Sequence, residues 1–175
     1  MNQGKNVRPL AVGLTVVGAL ARLAPHPYNF TPVGGMSLFA GARLRGWQAF
    51  LLPLVLMAVT DPLVGGYSFA TPVVYASFLV NVWIGRRLQR TESFLRIGAA
   101  CLLCSLQFFV FTNFALWAAG MYPHTAAGLA LCYTQAIPFF GRTLAGDLLY
   151  SGALFGLHAW LSRVAYTPER VAAAA

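Results

Sequence analysis

Apolar residues run in long stretches, at residues 9–23, 32–44, 47–63, 72–84, 94–119 and 143–161, broken by short joints rich in polar residues, proline and glycine. This pattern predicts six helices, and six membrane spans of roughly 20 residues each use most of a chain this size. A single integral-membrane domain over residues 1–175 follows. Thr31-Pro32 and Thr71-Pro72 each set a capping hydroxyl before a proline, predicting two helix starts. The fifth stretch should end at Gly120 in a left-handed cap, with Pro123 beyond it. Pro53 and Pro62 should kink or end the third, leaving Thr60-Asp61-Pro62 as a polar corner. The second stretch is short, about 20 Å as a helix against a ~30 Å hydrocarbon core, so it must borrow flanking residues or tilt. Residues 124–140 are apolar but hold Tyr133, Thr134, Gln135 and Pro138. Their length and polarity favour a short outer amphipathic or re-entrant helix around 125–140 over a seventh span.

Charge gives this alternation a direction. Lys5, Arg8, Arg43, Arg45, Arg86, Arg87, Arg90, Arg96, Arg163 and Arg170 fall on one side, and Arg22 and Arg142 on the other. Cytoplasmic loops carry the Lys/Arg excess, so both termini are expected in the cytoplasm. A seventh span would weaken the split from ten against two to nine against three. The chain is 58% hydrophobic and only 9% charged, far from the quarter or so of charged residues in a soluble domain. Its +8 net charge does not point to nucleic acid, because the basic residues flank helix ends and form no soluble basic face. Cys101, Cys104 and Cys132 are odd in number and give no disulfide framework. The CxxC pair lies inside an apolar run and reads as small apolar side chains. Ala19-Leu20-Ala21 resembles a signal-peptidase site, but a helical pattern continuing to Leu23 favours a retained first span.

Against this background a few polar residues stand out. Arg22, Asp61, Asn113, Arg142 and Asp147 each fall at or near one end of a predicted span, all toward the side opposite the basic excess. Charge inside a bilayer is costly, so the four ionisable groups on separate helices are expected to pair with one another around a water-accessible cavity. Two Arg and two Asp would leave it neutral. Asp147 lies early in its helix, where the dipole favours a carboxylate, on a face shared with Thr143, Tyr150, Ser151, Leu154 and His158. Asn113 and Trp117, four apart, share a face as well. Asn29, Trp117 and Tyr122 are candidate contacts from the aromatic-rich joints, where an interfacial aromatic belt is the plainer account. Each charged residue alone could equally snorkel to headgroups or cap a helix. His26 and His124 lack metal-ligand spacing, so no metal is expected. With no P-loop, GxSxG or HExxH, neither a cofactor nor an enzymatic activity is expected. Two small-residue stripes, Ala11/Thr15/Ala19 and Gly152/Gly156, suit close helix contact, within the chain or with a partner subunit.

Several motifs carry a resemblance that covers nearly the whole chain: Arg22-Leu23-Ala24-Pro25-His26-Pro27-Tyr28-Asn29-Phe30-Thr31-Pro32, Thr112-Asn113-Phe114-Ala115-Leu116-Trp117, Gly120-Met121-Tyr122-Pro123, and Ile137-Pro138-Phe139-Phe140-Gly141-Arg142-Thr143-Leu144-Ala145-Gly146-Asp147. With these the chain resembles a family of small bacterial integral-membrane proteins assigned to transport but otherwise uncharacterised. More loosely it is similar to the substrate-binding S components of energy-coupling factor (ECF) transporters. That resemblance implies an all-α six-transmembrane-helix bundle in the bacterial inner membrane, with a vitamin-sized substrate captured beneath the outer loops. It also implies a coupling membrane subunit with two ATPases, for which Ala11, Thr15 and Ala19 form an approximate docking stripe. The expected function is therefore uptake of a small organic micronutrient, with Arg22, Asn29, Asp61, Asn113, Trp117, Tyr122, Arg142 and Asp147 as the substrate site. The alternative is a non-transport membrane scaffold or assembly protein whose polar cluster only locks helices together.

Overall fold

The computed structural model describes residues 3–89 and 91–166. Arg90, Arg170 and the alanine tail 172–175 lie outside the described residues, as do the side chains of Lys5 and Arg8. Among the described residues the chain is all α, with six helices and no strand: α1 (Gln3–Ala21), α2 (Val33–Arg43), α3 (Gln48–Val64), α4 (Thr71–Arg86), α5 (Phe94–Ala118) and α6 (Ala126–Tyr166). Of these, α5 is long and apolar enough to cross a membrane, while residues Pro9–Ala21 of α1 and helix α3 are apolar but shorter.

The short second stretch is the centre of the molecule. Helix α2 touches all five other helices, and every residue from Val33 to Ala42 is buried. Its composition permits this, because small residues let neighbouring backbones approach. A Cβ on Gly41 would lie 2.1 Å from the Val82 carbonyl oxygen, and one on Gly85 would lie 2.2 Å from that of Leu38. Helices α2 and α4 therefore meet backbone to backbone. On the opposite side, a Cβ on Gly35 would lie 2.8 Å from the Ser151 nitrogen of α6. Met36, Leu38 and Phe39 fill the remaining gaps and are among the largest fully buried side chains.

Several local expectations change. Thr31 does not cap α2, where Pro32 holds the N-cap position without a side-chain bond. Helix α4 starts at Thr71 itself, whose hydroxyl instead accepts the Ser68 N–H at 2.8 Å and closes the preceding turn. Helix α3 continues through Pro53 and reaches Val64, so neither proline ends it at once. The end of α5 follows the expectation closely. Gly120 has φ +81°, its N–H bonds to Trp117 O at 3.0 Å, and that of Met121 bonds to Leu116 O at 3.2 Å, the paired bonds of a Schellman cap. The expected outer helix around 125–140 is not separate. It fuses with the sixth stretch into one 41-residue helix containing Pro138, about 60 Å long. Phe109 of α5 explains the continuity: its ring meets Tyr133 at 5.4 Å and Phe140 at 5.3 Å, one on each side of the proline.

The two small-residue stripes part company. Ala11, Thr15 and Ala19 are at most 1% exposed, so this face of α1 is spent inside the chain and cannot serve as the expected docking stripe. Gly152 and Gly156 have open space where a Cβ would be. The outer surface carries many exposed large apolar side chains, including Val17, Leu20, Val59, Leu95, Phe111, Leu149 and Trp160.

Candidate functional site

The helix lengths create the site. Arg43, at the end of α2, donates to the Leu88 and Thr91 carbonyls at 3.3 and 2.6 Å, beside the start of α5. The start of α2 lies against Asp147, which Ser105 in the middle of α5 also contacts. Eleven residues reach only about 16 Å, against roughly 37 Å for α5. The space beyond the N-terminus of α2 has no central helix to fill it. A cavity of about 390 Å³ occupies that space, walled by α2–α6 and by residues of the 22–32 and 65–70 joints.

Its polar walls form two groups. In the first, Arg22 and Asp61 pair at 2.8 Å, with side chains 13% and 10% exposed. Arg22 also donates to the Thr60 hydroxyl at 3.0 Å, and Tyr75 donates to the other Asp61 oxygen. Both Asp61 oxygens are engaged, and the joint after α1 is tied there to α3 and α4. The second group is centred on Asp147, which is 4% exposed. Its carboxylate accepts from the Ser105 hydroxyl at 2.6 Å and interacts with the Gly35 N–H at the opening turn of α2. A side chain from α6 thus serves the helix start that Thr31 leaves uncapped. Gly34 makes room for it, since a Cβ there would lie 1.9 Å from an Asp147 oxygen. Phe78 and Phe108, with ring centres 5.2 Å apart, supply apolar wall between the two groups, and Asn81, bonded to Gln107 at 2.7 Å, lies among them.

A second cavity of about 430 Å³ adjoins the first, sharing Asn29, Val74, Phe108 and Thr143 as wall. Asn113 and Tyr122 line it. Tyr122 donates to Gln135 at 2.9 Å, and Asn113 returns its amide to the Phe109 carbonyl at 2.8 Å. Asn29 stands on the rim of both cavities with φ +63°, at the third position of a turn closed by the Phe30 N–H on Pro27 O at 3.0 Å. Asparagine tolerates that left-handed backbone better than most residues.

The expected site is therefore divided. Arg22, Asn29, Asp61 and Asp147 meet at the first cavity, while Asn113 and Tyr122 belong to the second. Two residues fall outside both. Arg142 is exposed and lies over the Phe139 ring at 5.9 Å, because its position on α6 turns away from the face carrying Thr143 and Asp147. Trp117 donates to Pro123 O at 3.0 Å and packs on His124 with ring centres 5.2 Å apart, bracing the turn after α5. Tyr75 and Ser105 were absent from the expectation. Tyr75 had a faint signal, since Thr71, Tyr75 and Phe78 fall on one helical face; a lone serine in an apolar run gave none for Ser105.

These features define, among the described residues, an all-α, six-helix protein with an open cavity between its helices that carries a few polar groups. Residues 3–170 match the model of a family described as "Family of unknown function (DUF6580)", and the chain belongs to that family. No curated protein and no solved structure matches the chain.

Proposed function

We propose that this is a membrane-embedded capture protein for a small organic micronutrient, binding its substrate in the cavity beyond the N-terminus of α2. The single observation that carries this reading is an open cavity of about 390 Å³ bearing Arg22, Asp61, Tyr75 and Asp147 between helices whose outer faces are apolar. That volume lies within the range of small-molecule sites, which set a few polar groups in a mostly apolar wall. Membrane embedding is supported by the apolar helix α5 and by the exposed apolar side chains on α1, α3 and α6, since soluble monomers rarely show extended apolar faces.

In this reading all six helices sit in the bilayer, the shorter ones tilted or flanked by thinned lipid, and the first 15 or so residues of α6 rise above the span. The arginine-rich end, where Arg86 bonds Gly46 O at 3.3 Å and Arg163 pairs with Glu92 at 2.9 Å, faces the cytoplasm, and the cavity opens to the other side. Because the chain carries no nucleotide motif, uptake draws its energy from a partner or a gradient. A coupling subunit, if used, docks elsewhere than on the buried α1 stripe.

Native mass spectrometry of the purified protein tests the proposal. A copurifying small molecule is expected, and it should be lost in Tyr75→Phe combined with Asp147→Asn. The scaffold alternative draws on the Arg22–Asp61 pair that ties the helices together at that corner, and it predicts that nothing copurifies.

A further inference from the structure

Resting on the capture reading, we propose that the ligand of the first cavity is a small organic cation, an amine or a cationic nitrogen heterocycle, held by the Asp147 carboxylate. The sequence suggests a neutral cavity, two arginines against two aspartates, but the fold changes that sum. Arg142 lies outside, and Arg22 is held by Asp61 at 2.8 Å. Asp147 remains, and among the described residues no basic side chain pairs with it. Its partners are a serine hydroxyl and a backbone N–H at the start of α2. A helix N-terminus offers the equivalent of about half a positive charge, so the compensation is partial. A buried carboxylate without a counter-charge is costly, and a cationic ligand would remove that cost on binding.

The walls fit the same class. Tyr75, Phe78 and Phe108 line the cavity, and aromatic faces attract cations while offering nothing comparable to an anion. Among the described residues Arg22 is the one guanidinium lining the cavity, and its charge is already balanced by Asp61 at 2.8 Å, so a carboxylate or phosphate ligand would meet a neutral pair on one side and the Asp147 carboxylate on the other. Gly34 allows the Asp147 carboxylate to lie over the first turn of α2, where it both closes the helix end and faces the cavity.

The test uses the purified full chain in detergent and three probes of one size: benzylammonium, benzyl alcohol and benzoate. Benzylammonium is expected to raise the unfolding temperature, with little change from the other two. Asp147→Asn keeps one carbonyl oxygen to accept from Gly35 and an amide N–H that the Ser105 hydroxyl can accept, and should weaken benzylammonium by about 100-fold or more while remaining monodisperse on gel filtration. Glu92→Gln, far from the cavity, should leave the response intact. A response to benzoate or benzyl alcohol equal to that of benzylammonium, or an undiminished response in Asp147→Asn, overturns the assignment. If a neutral or anionic metabolite copurifies, the cation assignment fails and the capture reading stands. If nothing copurifies and no probe binds, both fail.

Discussion

Gly41 and Gly85 sit where two helix backbones touch, and neither has room for a methyl group. Their virtual Cβ atoms fall 2.1 and 2.2 Å from carbonyl oxygens rather than from movable side-chain ends, so the helices themselves must separate. Gly41→Ala or Gly85→Ala is expected to destabilise by about 2–3 kcal/mol, measured by thermal unfolding in detergent. Gly98→Ala, with open space at its Cβ, should be neutral or stabilising by up to ~1 kcal/mol. Arg22 and Asp61 make a second residue-scale case. Arg22→Met alone strands a nearly buried carboxylate and should cost about 3 kcal/mol. Combining it with Asp61→Leu should recover most of that loss, and a double-mutant cycle on unfolding free energies measures the coupling. Both charges were visible in the sequence as ionisable groups beside long apolar runs. Pairing among the four charged groups was expected, but not that Arg22 would take Asp61, because that depends on the residues after α1 folding against the end of α3.

Helix ends show how far local chemistry reaches. Gly120 was legible because a left-handed cap needs only a glycine at the right place. Gly120→Ala is expected to cost about 1 kcal/mol and Gly120→Asn less, since alanine meets the left-handed penalty that asparagine partly escapes. Equal melting temperatures for the two variants would contradict the cap assignment. The start of α2 was misread for the opposite reason. Its carboxylate cap comes from Asp147, more than a hundred residues away in sequence, and no local motif encodes that. The length of α6 was also hidden. Pro138 and the polar residues before it suggest a break locally, and the edge-on and tilted packing of Tyr133 and Phe140 against Phe109 overrides it.

At the scale of the molecule, one short helix inside longer ones produces both the close-packed core and the cavity. The same arrangement separates the arginine-rich end from the cavity end, and this can be checked directly. Cys101, Cys104 and Cys132 are buried, so the native protein should react slowly with maleimides. A cysteine at Tyr28, which is 84% exposed, should be labelled in intact cells by a membrane-impermeant maleimide. One at exposed Gln48 should be labelled only after permeabilisation. The reverse pattern would invert the proposed orientation, and labelling of both in intact cells would contradict an embedded bundle.

The sequence by itself determined the helical class, the six apolar segments and the separation of basic residues between the joints, because these follow from periodicity, composition and charge along the chain. It also singled out Arg22, Asp61 and Asp147, since ionisable groups amid apolar runs are costly wherever they lie. Only the tertiary structure decided that the shortest segment would be central, that Asp61 would take Arg22 as its partner, and that Arg142 would turn away. Those outcomes depend on which helices touch and at what height. Contacts between distant segments set that geometry, and no local run of residues carries it.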